Sequence, residues 1–371
     1  MMANREGKAN IGSLEKSRRA IRLLSLGSGR LLMKSRSRRR ALYLGGQGDA
    51  NLGDEAMFAT AVSLLADTAL TSFAYAGQER RLAAVGLSGP RYFEYAVLGG
   101  GTLINPHWHE ATRTALSLGL QLWSIGTGVG ASGFGHVPEV EIADWRELLN
   151  DFEAIGVRGP LSRTRLEELG LSTQVDVVGD LALGLTLESV AEPHDPPTFA
   201  INFTLPGGVS GDPVFDSVSG ETAEAVRELS DRGWAPVPIA LHRDDVGATE
   251  DVLSRAGITS RPVVLLDSAE AFFDTVRFCS LTIGVRLHSA VLSACVGVPP
   301  LMLGYRDKCL DFMQSMDLVE HHVDLVEFEP GAILEKARSL ADDCLPLREP
   351  ILERARVWKA KLEDHARRLG H

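Results

Sequence analysis

Residues 283–308 read IGVRLHSAVLSACVGVPPLMLGYRDK. The apolar run from Leu281 to Val285 predicts a strand that delivers Arg286 and His288 at its end. A helix of small residues is predicted from about Ser289 to Val296, and a second strand from Pro300 to Gly304. That second strand ends in Tyr305, Arg306, Asp307 and Lys308. Short apolar runs alternating with helical patterns predict βαβ units and a parallel sheet. Cations and an imidazole at the carboxyl ends of neighbouring strands suit a small anion, because ligands of open α/β sheets sit there.

The same alternation extends in both directions. Towards the N-terminus, strands are predicted at 41–44, 95–98, 120–125, 154–157 and 175–178, with helices at 54–66 and 160–169. The polar, proline-rich patch Glu192-Pro193-His194-Asp195-Pro196-Pro197 reads as a linker. The pattern then restarts: strands at 198–203, 235–241 and 263–266, and helices at 218–231, 245–256 and 269–278. The expected organisation is a basic leader (1–40), an N-terminal Rossmann-like domain (41–190), a linker (191–197), a C-terminal Rossmann-like domain (198–345) and a terminal helix (346–371). The fold class is α/β: two Rossmann-like domains whose parallel sheets face a cleft.

Bulk properties fit that division. A chain of 371 residues exceeds one ordinary domain. No apolar run reaches the roughly 18 residues of a membrane-spanning helix. Residues 1–40 hold 12 Lys/Arg and 2 Asp/Glu, a net of +10, whereas the whole chain carries −11, so the rest carries −21. An acidic body argues against nucleic acid as a partner. The leader mixes Leu/Ile with Arg/Lys between Leu14 and Met33 and then runs into Lys34-Ser35-Arg36-Ser37-Arg38-Arg39-Arg40. Such a segment is either a solvated tail or a contact to an anionic membrane surface. Cys279, Cys295, Cys309 and Cys344 share no metal-type spacing and read as free thiols of a protein in the reducing cytoplasm, placed there or at the inner face of the membrane. His321 and His322 read as surface residues.

Four motifs carry chemistry. The turn Gly45-Gly46-Gln47-Gly48-Asp49-Ala50-Asn51-Leu52-Gly53-Asp54-Glu55-Ala56 leads into a helix. It lacks both dinucleotide-binding glycine spacing and a Walker lysine. Asp54 can cap that helix, or Asn51 and Asp54 can hold sugar hydroxyls. Gly99-Gly100-Gly101-Thr102 at a strand end implies close backbone packing or close approach to a ligand. Gly156-Val157-Arg158-Gly159-Pro160 sets an arginine at a helix start, either paired with a carboxylate or open to an anion. Arg286, His288 and Lys308 combine bidentate anion recognition with a group that moves protons near neutral pH. His107 and His109 follow the Gly99 loop, and His242-Arg243-Asp244-Asp245 ends a strand that can line the cleft.

In order and context these motifs resemble the polysaccharide pyruvyl transferase family. The matching pieces are Asn51 to Ala56, Gly99 to Leu103, Gly126-Thr127-Gly128, Val157-Arg158 through Ser162, Asp180, Arg286-Leu287-His288 through Pro299, and Tyr305 to Lys308. The resemblance covers roughly residues 41–320 and implies a fold similar to GT-B glycosyltransferases. It also implies transfer of the enolpyruvyl carbons of phosphoenolpyruvate onto a sugar as a cyclic pyruvate ketal, with release of phosphate. Arg286, Lys308 and Arg158 would then contact the donor, and His288 would be the general acid. Asp54 (or Glu55) is the nominee for base. Asn51, Gly53, Glu55, Gly100 and Thr102 would face a glycan or lipid-linked glycan acceptor. No cofactor or metal is expected. Two other classes fit the same architecture: a glycosyltransferase using a nucleotide sugar, with Asp267 or Glu270 on the ribose, and a non-catalytic sugar-binding protein.

Overall fold

The computed structural model describes residues 39–72, 93–130, 135, 142–204 and 213–369. The expectations for the leader through residue 38 lie outside the described residues. The first strand, β1 (Arg39–Leu44), takes in the last two arginines of the basic run. Arg39 pairs with Glu94 at 3.1 Å and donates to the Leu369 carbonyl.

Seven strands form the N-terminal sheet: β1, β2 (Thr68–Ser72), β3 (Tyr95–Leu98), β4 (Gly101–Ile104), β5 (Gln121–Val129), β6 (Phe152–Val157) and β7 (Val175–Val177). Their order is β2-β1-β3-β5-β6-β7, with β4 paired to the far end of β5. Six more form the second sheet: β8 (Thr198–Asn202), β9 (Ala235–Ala240), β10 (Val264–Leu265), β11 (Leu281–Gly284), β12 (Pro300–Gly304) and β13 (His322–Asp324). Their order is β10-β9-β8-β11-β12-β13. Every pairing between these strands is parallel. The chain crosses between parallel strands through α1 (Leu52–Leu64), α2 (Pro106–Ser117), α3 (Trp145–Asn150), α4 (Pro160–Glu168), α5 (Pro213–Asp231), α6 (Asp245–Arg255), α7 (Ala269–Val276), α8 (Leu287–Ala294) and α9 (Asp307–Ser315).

The strands are apolar nearly throughout because both faces of each sheet are covered. One cluster packs one face of the N-terminal sheet (Leu42, Ala96, Leu122, Trp145, Ile155). The other joins the opposite face to the whole second sheet, through Tyr43, Met57, Leu181 and Leu183 on one side and Ile283, Leu301 and Trp358 on the other. Burying this shared surface, at roughly 25 cal/mol per Å² of apolar area, holds the two halves together.

The last helix differs most from expectation. It was expected from about residue 346, yet α10 runs from Ala332 to Leu369 with Pro346 and Pro350 inside it. Each proline removes one backbone donor and crowds the preceding turn. The buried stripe Ile333, Ala337, Leu340, Cys344, Ile351, Ala355, Trp358, Leu362 and Ala366 continues on both sides of the prolines, and that packing outweighs the local cost. The helix returns from the second half to the first, where the buried His365 Nε2 lies 2.8 Å from the Ser124 carbonyl.

All four cysteines are free and buried, and burial pushes the Cys295 thiol up to about 12. His321 and His322 are not surface residues: His321 is buried, and burial lowers the pKa of both, that of His322 to about 4. The chain folds them under β12, where the absence of a side chain at Gly304 leaves room for the His322 ring.

Candidate active site

In open parallel sheets, a crevice opens where strand order reverses direction. In the second sheet that point lies between β8 and β11. Asn202 ends β8, and Arg286 follows β11 as the N-cap of α8. Asp245, fully buried at the start of α6, ties the two together. Its Oδ1 accepts from Arg286 Nε at 2.8 Å and lies 2.7 Å from Nη2. Its Oδ2 accepts from Asn202 Nδ2, Leu241 N and His242 N at 3.1–3.2 Å. Asn202 Oδ1 in turn accepts from Arg286 N. The guanidinium is thus clamped on one edge while its side chain stays 22% exposed. The Asp245 bonds raise its pKa against the effect of burial.

The first sheet reverses between β1 and β3, and glycines follow both strands. Side chains at Gly45 or Gly99 would collide with the ring of Tyr43, and one at Gly46 with the carboxyl group of Asp54. The Tyr43 phenol is buried beneath this loop, and burial and Asp54 push its pKa up. Asn51, not Asp54, caps α1, accepting from Gly53 N at 3.2 Å. Glu55 Oε1 accepts from Gly48 N at 2.6 Å and so holds the turn shut. Leu52 N donates across to the Leu241 carbonyl at 3.0 Å. This bond pins the start of α1 to the end of β9 and brings the two switch points face to face.

Asp54 is thereby placed opposite the cations of the second half. Burial raises its pKa to about 6, while Lys308 and Arg286 pull it back. Lys308, in the first turn of α9, lies 5.0 Å from the Tyr305 ring centroid. Among the described residues no carboxylate comes within 4.0 Å of its ammonium group.

His288 sits at the seam. Its ring rests on Gly53, where a β-carbon would overlap Nδ1. Nε2 lies 3.8 Å from Asp180 Oδ1 and has no hydrogen-bond partner. Burial lowers its pKa to about 4; Asp180 opposes that shift, and Lys308, Arg158 and Arg286 reinforce it.

Arg158 lies deeper and is fully buried. It stands 3.9 Å from Asp180 and 3.8 Å from Asp311, with Nη2 3.4 Å from Thr102 Oγ1. The bare Gly128 gives its guanidinium room. Thr102 therefore meets Arg158, and Gly100 is packed under Met57 and Leu181. His109 is held by the Asp144 carbonyl and the edge of Trp145, while Asp267 and Glu270 are exposed at the start of α7.

Of the residues singled out in the sequence, Asp54, His288, Arg286, Lys308 and Gly53 converge, with Arg158 behind them. Asn51, Glu55, Gly100 and Thr102 support the loops. Asp245 appeared in the sequence only as the end of a strand. Asp311 carried no local signal, because its partners Leu161 and Ser162 lie 150 and 149 residues away. Among the described residues no group of three His, Cys, Asp or Glu side chains is placed to hold a metal ion.

Known proteins resemble the chain in fold and in family. The fold is similar to MnaA of S. aureus in complex with UDP (TM-score 0.56, 10% identity, 85% of this chain and 91% of that one). It is also similar to the UDP-GlcNAc 2-epimerase of Neisseria meningitidis (TM-score 0.54, 11% identity, 89% and 98%) and a glycosyltransferase of Rickettsia africae (TM-score 0.53, 8% identity, 90% and 97%). The two-sheet fold is thus GT-B-like. A 65-residue segment is 37% identical to the amylovoran biosynthesis protein AmsJ of Erwinia amylovora, covering 18% of this chain and 16% of that relative. The family model for polysaccharide pyruvyl transferase matches residues 51–307, from the cap of α1 to the start of α9, and the chain belongs to that family.

Proposed function

We propose that the protein transfers the pyruvyl group of phosphoenolpyruvate onto two hydroxyls of a glycan or lipid-linked glycan precursor, forming a cyclic ketal and releasing phosphate. The observation that carries this reading is the meeting of Arg286, Lys308 and His288 from one half with Asp54 from the other, at the two points where the sheets reverse. A donor with a phosphate and a carboxylate needs two fixed cations, and the partly exposed Arg286 and Lys308 supply them in a site of low dielectric.

The placement supports the following sequence of steps. His288 gives a proton to the methylene carbon of the enol, leaving an oxocarbenium-like centre at the adjacent carbon. A sugar hydroxyl adds there, and its proton passes to Asp54. Phosphate then leaves with its bonding electrons, neutralised by Arg286 and Lys308. A second hydroxyl closes the ring, and its proton passes to the imidazole of His288, left neutral by the first step. Burial, reinforced by three cations, lowers the His288 pKa; the donor's negative charge offsets the cations, so donor binding itself favours the protonated imidazole.

A thermal-shift titration tests this reading. Phosphoenolpyruvate raises Tm, and Arg286→Ala or Lys308→Ala reduces the shift. If UDP- or GDP-sugars raise Tm and phosphoenolpyruvate does not, a nucleotide-sugar glycosyltransferase replaces this assignment. The membrane contact expected of residues 1–40 is a separate proposal, tested by vesicle sedimentation with and without that segment.

A further inference from the structure

Asp180 follows β7 in the first half, and its Oδ1 caps the turn Leu181–Leu185 by accepting from Ala182 N at 3.0 Å. The same oxygen faces His288 Nε2 at 3.8 Å, although His288 belongs to the second half. Both side chains are strongly buried, at 0% and 12% exposure. Asp180 Oδ2, His288 Nε2 and Arg158 Nε are all buried without a hydrogen-bond partner. Asp180 thus lies between a buried imidazole and a buried guanidinium, 3.8 and 3.9 Å away, without a hydrogen bond to either. Such groups cost about 1–3 kcal/mol each unless something completes them.

We propose that Asp180 is the positioning residue for His288, so that the acid of the second half becomes competent only when the carboxylate of the first half stands against it. This rests on His288 being the proton donor of the proposed reaction. The other charges facing the imidazole are cations: Lys308 from α9, Arg158 from the end of β6 and Arg286 from its own helix cap. Asp180 counters them. Arg158 stands 3.9 Å from the other carboxylate oxygen, Oδ2, and so braces Asp180 in place. Because Asp180 and His288 lie on different domains, separation of the halves would remove the carboxylate from the imidazole. Protonation of the donor, an enol phosphate, would then occur only where the two halves meet, shielded from water.

The test is the titration of His288 itself, followed by NMR on histidine-labelled protein with His288→Gln for assignment. Asp180→Asn keeps the shape and the acceptor oxygen for Ala182 N. It lowers the titration midpoint of His288 relative to the parent protein, and Asp180→Glu restores it in part. In steady state Asp180→Asn lowers kcat at least about tenfold and moves the alkaline limb of the kcat profile to lower pH, with KM for phosphoenolpyruvate within about twofold. An unchanged or higher His288 midpoint in a folded Asp180→Asn protein overturns the proposal. The NMR readout needs no turnover. A shifted midpoint in a protein inert towards phosphoenolpyruvate would therefore leave the pair standing and remove pyruvyl transfer instead.

Discussion

Gly53 and His288 share one position in space: the imidazole ring fills the volume that a side chain at residue 53 would occupy. The helix start of one half is thereby moulded to the imidazole of the other. Gly53→Ala forces the ring away from the cleft. A misplacement of about 1 Å costs on the order of a hundredfold in rate, so kcat should fall by at least that much. Circular dichroism should still report the native fold, since α1 keeps its Asn51 cap. Full activity in Gly53→Ala would show that the ring position is immaterial.

Asp245 is the buried half of an ion pair whose other half reaches the cleft. Removing one partner of a buried pair typically costs about 3–5 kcal/mol. Asp245→Ala should therefore lower the urea midpoint, and calorimetry should show weaker binding of phosphoenolpyruvate, because Arg286 loses its clamp. Unchanged donor affinity would place Arg286 outside the donor site.

Burial pushes the Asp54 carboxyl from its ordinary 3.8 up to about 6. A carboxyl with a raised folded pKa favours folding in its protonated form, and that contribution is lost as pH climbs from about 4 through about 6. Asp54→Asn removes the penalty at neutral and alkaline pH. Tm at pH 8 should rise above that of the parent, the difference shrinking towards pH 4, while ketal formation is lost. A lower Tm at pH 8 would contradict the burial argument.

The thiols offer an independent check on the core. With Cys279 at about 11 and Cys295 at about 12, burial keeps both protonated at neutral pH, and the thiolate is the reactive form. Ellman's reagent should titrate no thiol rapidly in the native protein and four after denaturation. Rapid reaction of any one in the native state would show an opening that the packed core does not provide.

Much of this arrangement was legible in the sequence because it is local. The strands 95–98 and 300–304 and the linking glycines are written in short runs whose neighbours decide them. Even so, the sequence missed α2, where Asn105 caps and Pro106 opens the helix, and it began α10 only at the prolines, which distant packing overrides. The site followed the same rule. Arg286, His288 and Lys308 stand together in one stretch, but what sets their chemistry comes from elsewhere: Asp245 is 41 residues from Arg286, Asp180 is across the cleft, and Asp311 reaches Ser162 over 149 residues. Charges brought together only by domain contact leave no mark in spacing.

The central claim is that the enolpyruvyl carbons move from phosphoenolpyruvate to a glycan. It is tested most directly by incubating the full chain with 13C-labelled phosphoenolpyruvate and a panel of glycan and lipid-linked glycan acceptors, following 13C and 31P spectra together. The account predicts a quaternary ketal carbon on the acceptor and one inorganic phosphate for each ketal, both absent with His288→Ala. Phosphate release with the label recovered as free pyruvate, or no consumption of phosphoenolpyruvate with any acceptor while a nucleotide sugar is turned over, would contradict it.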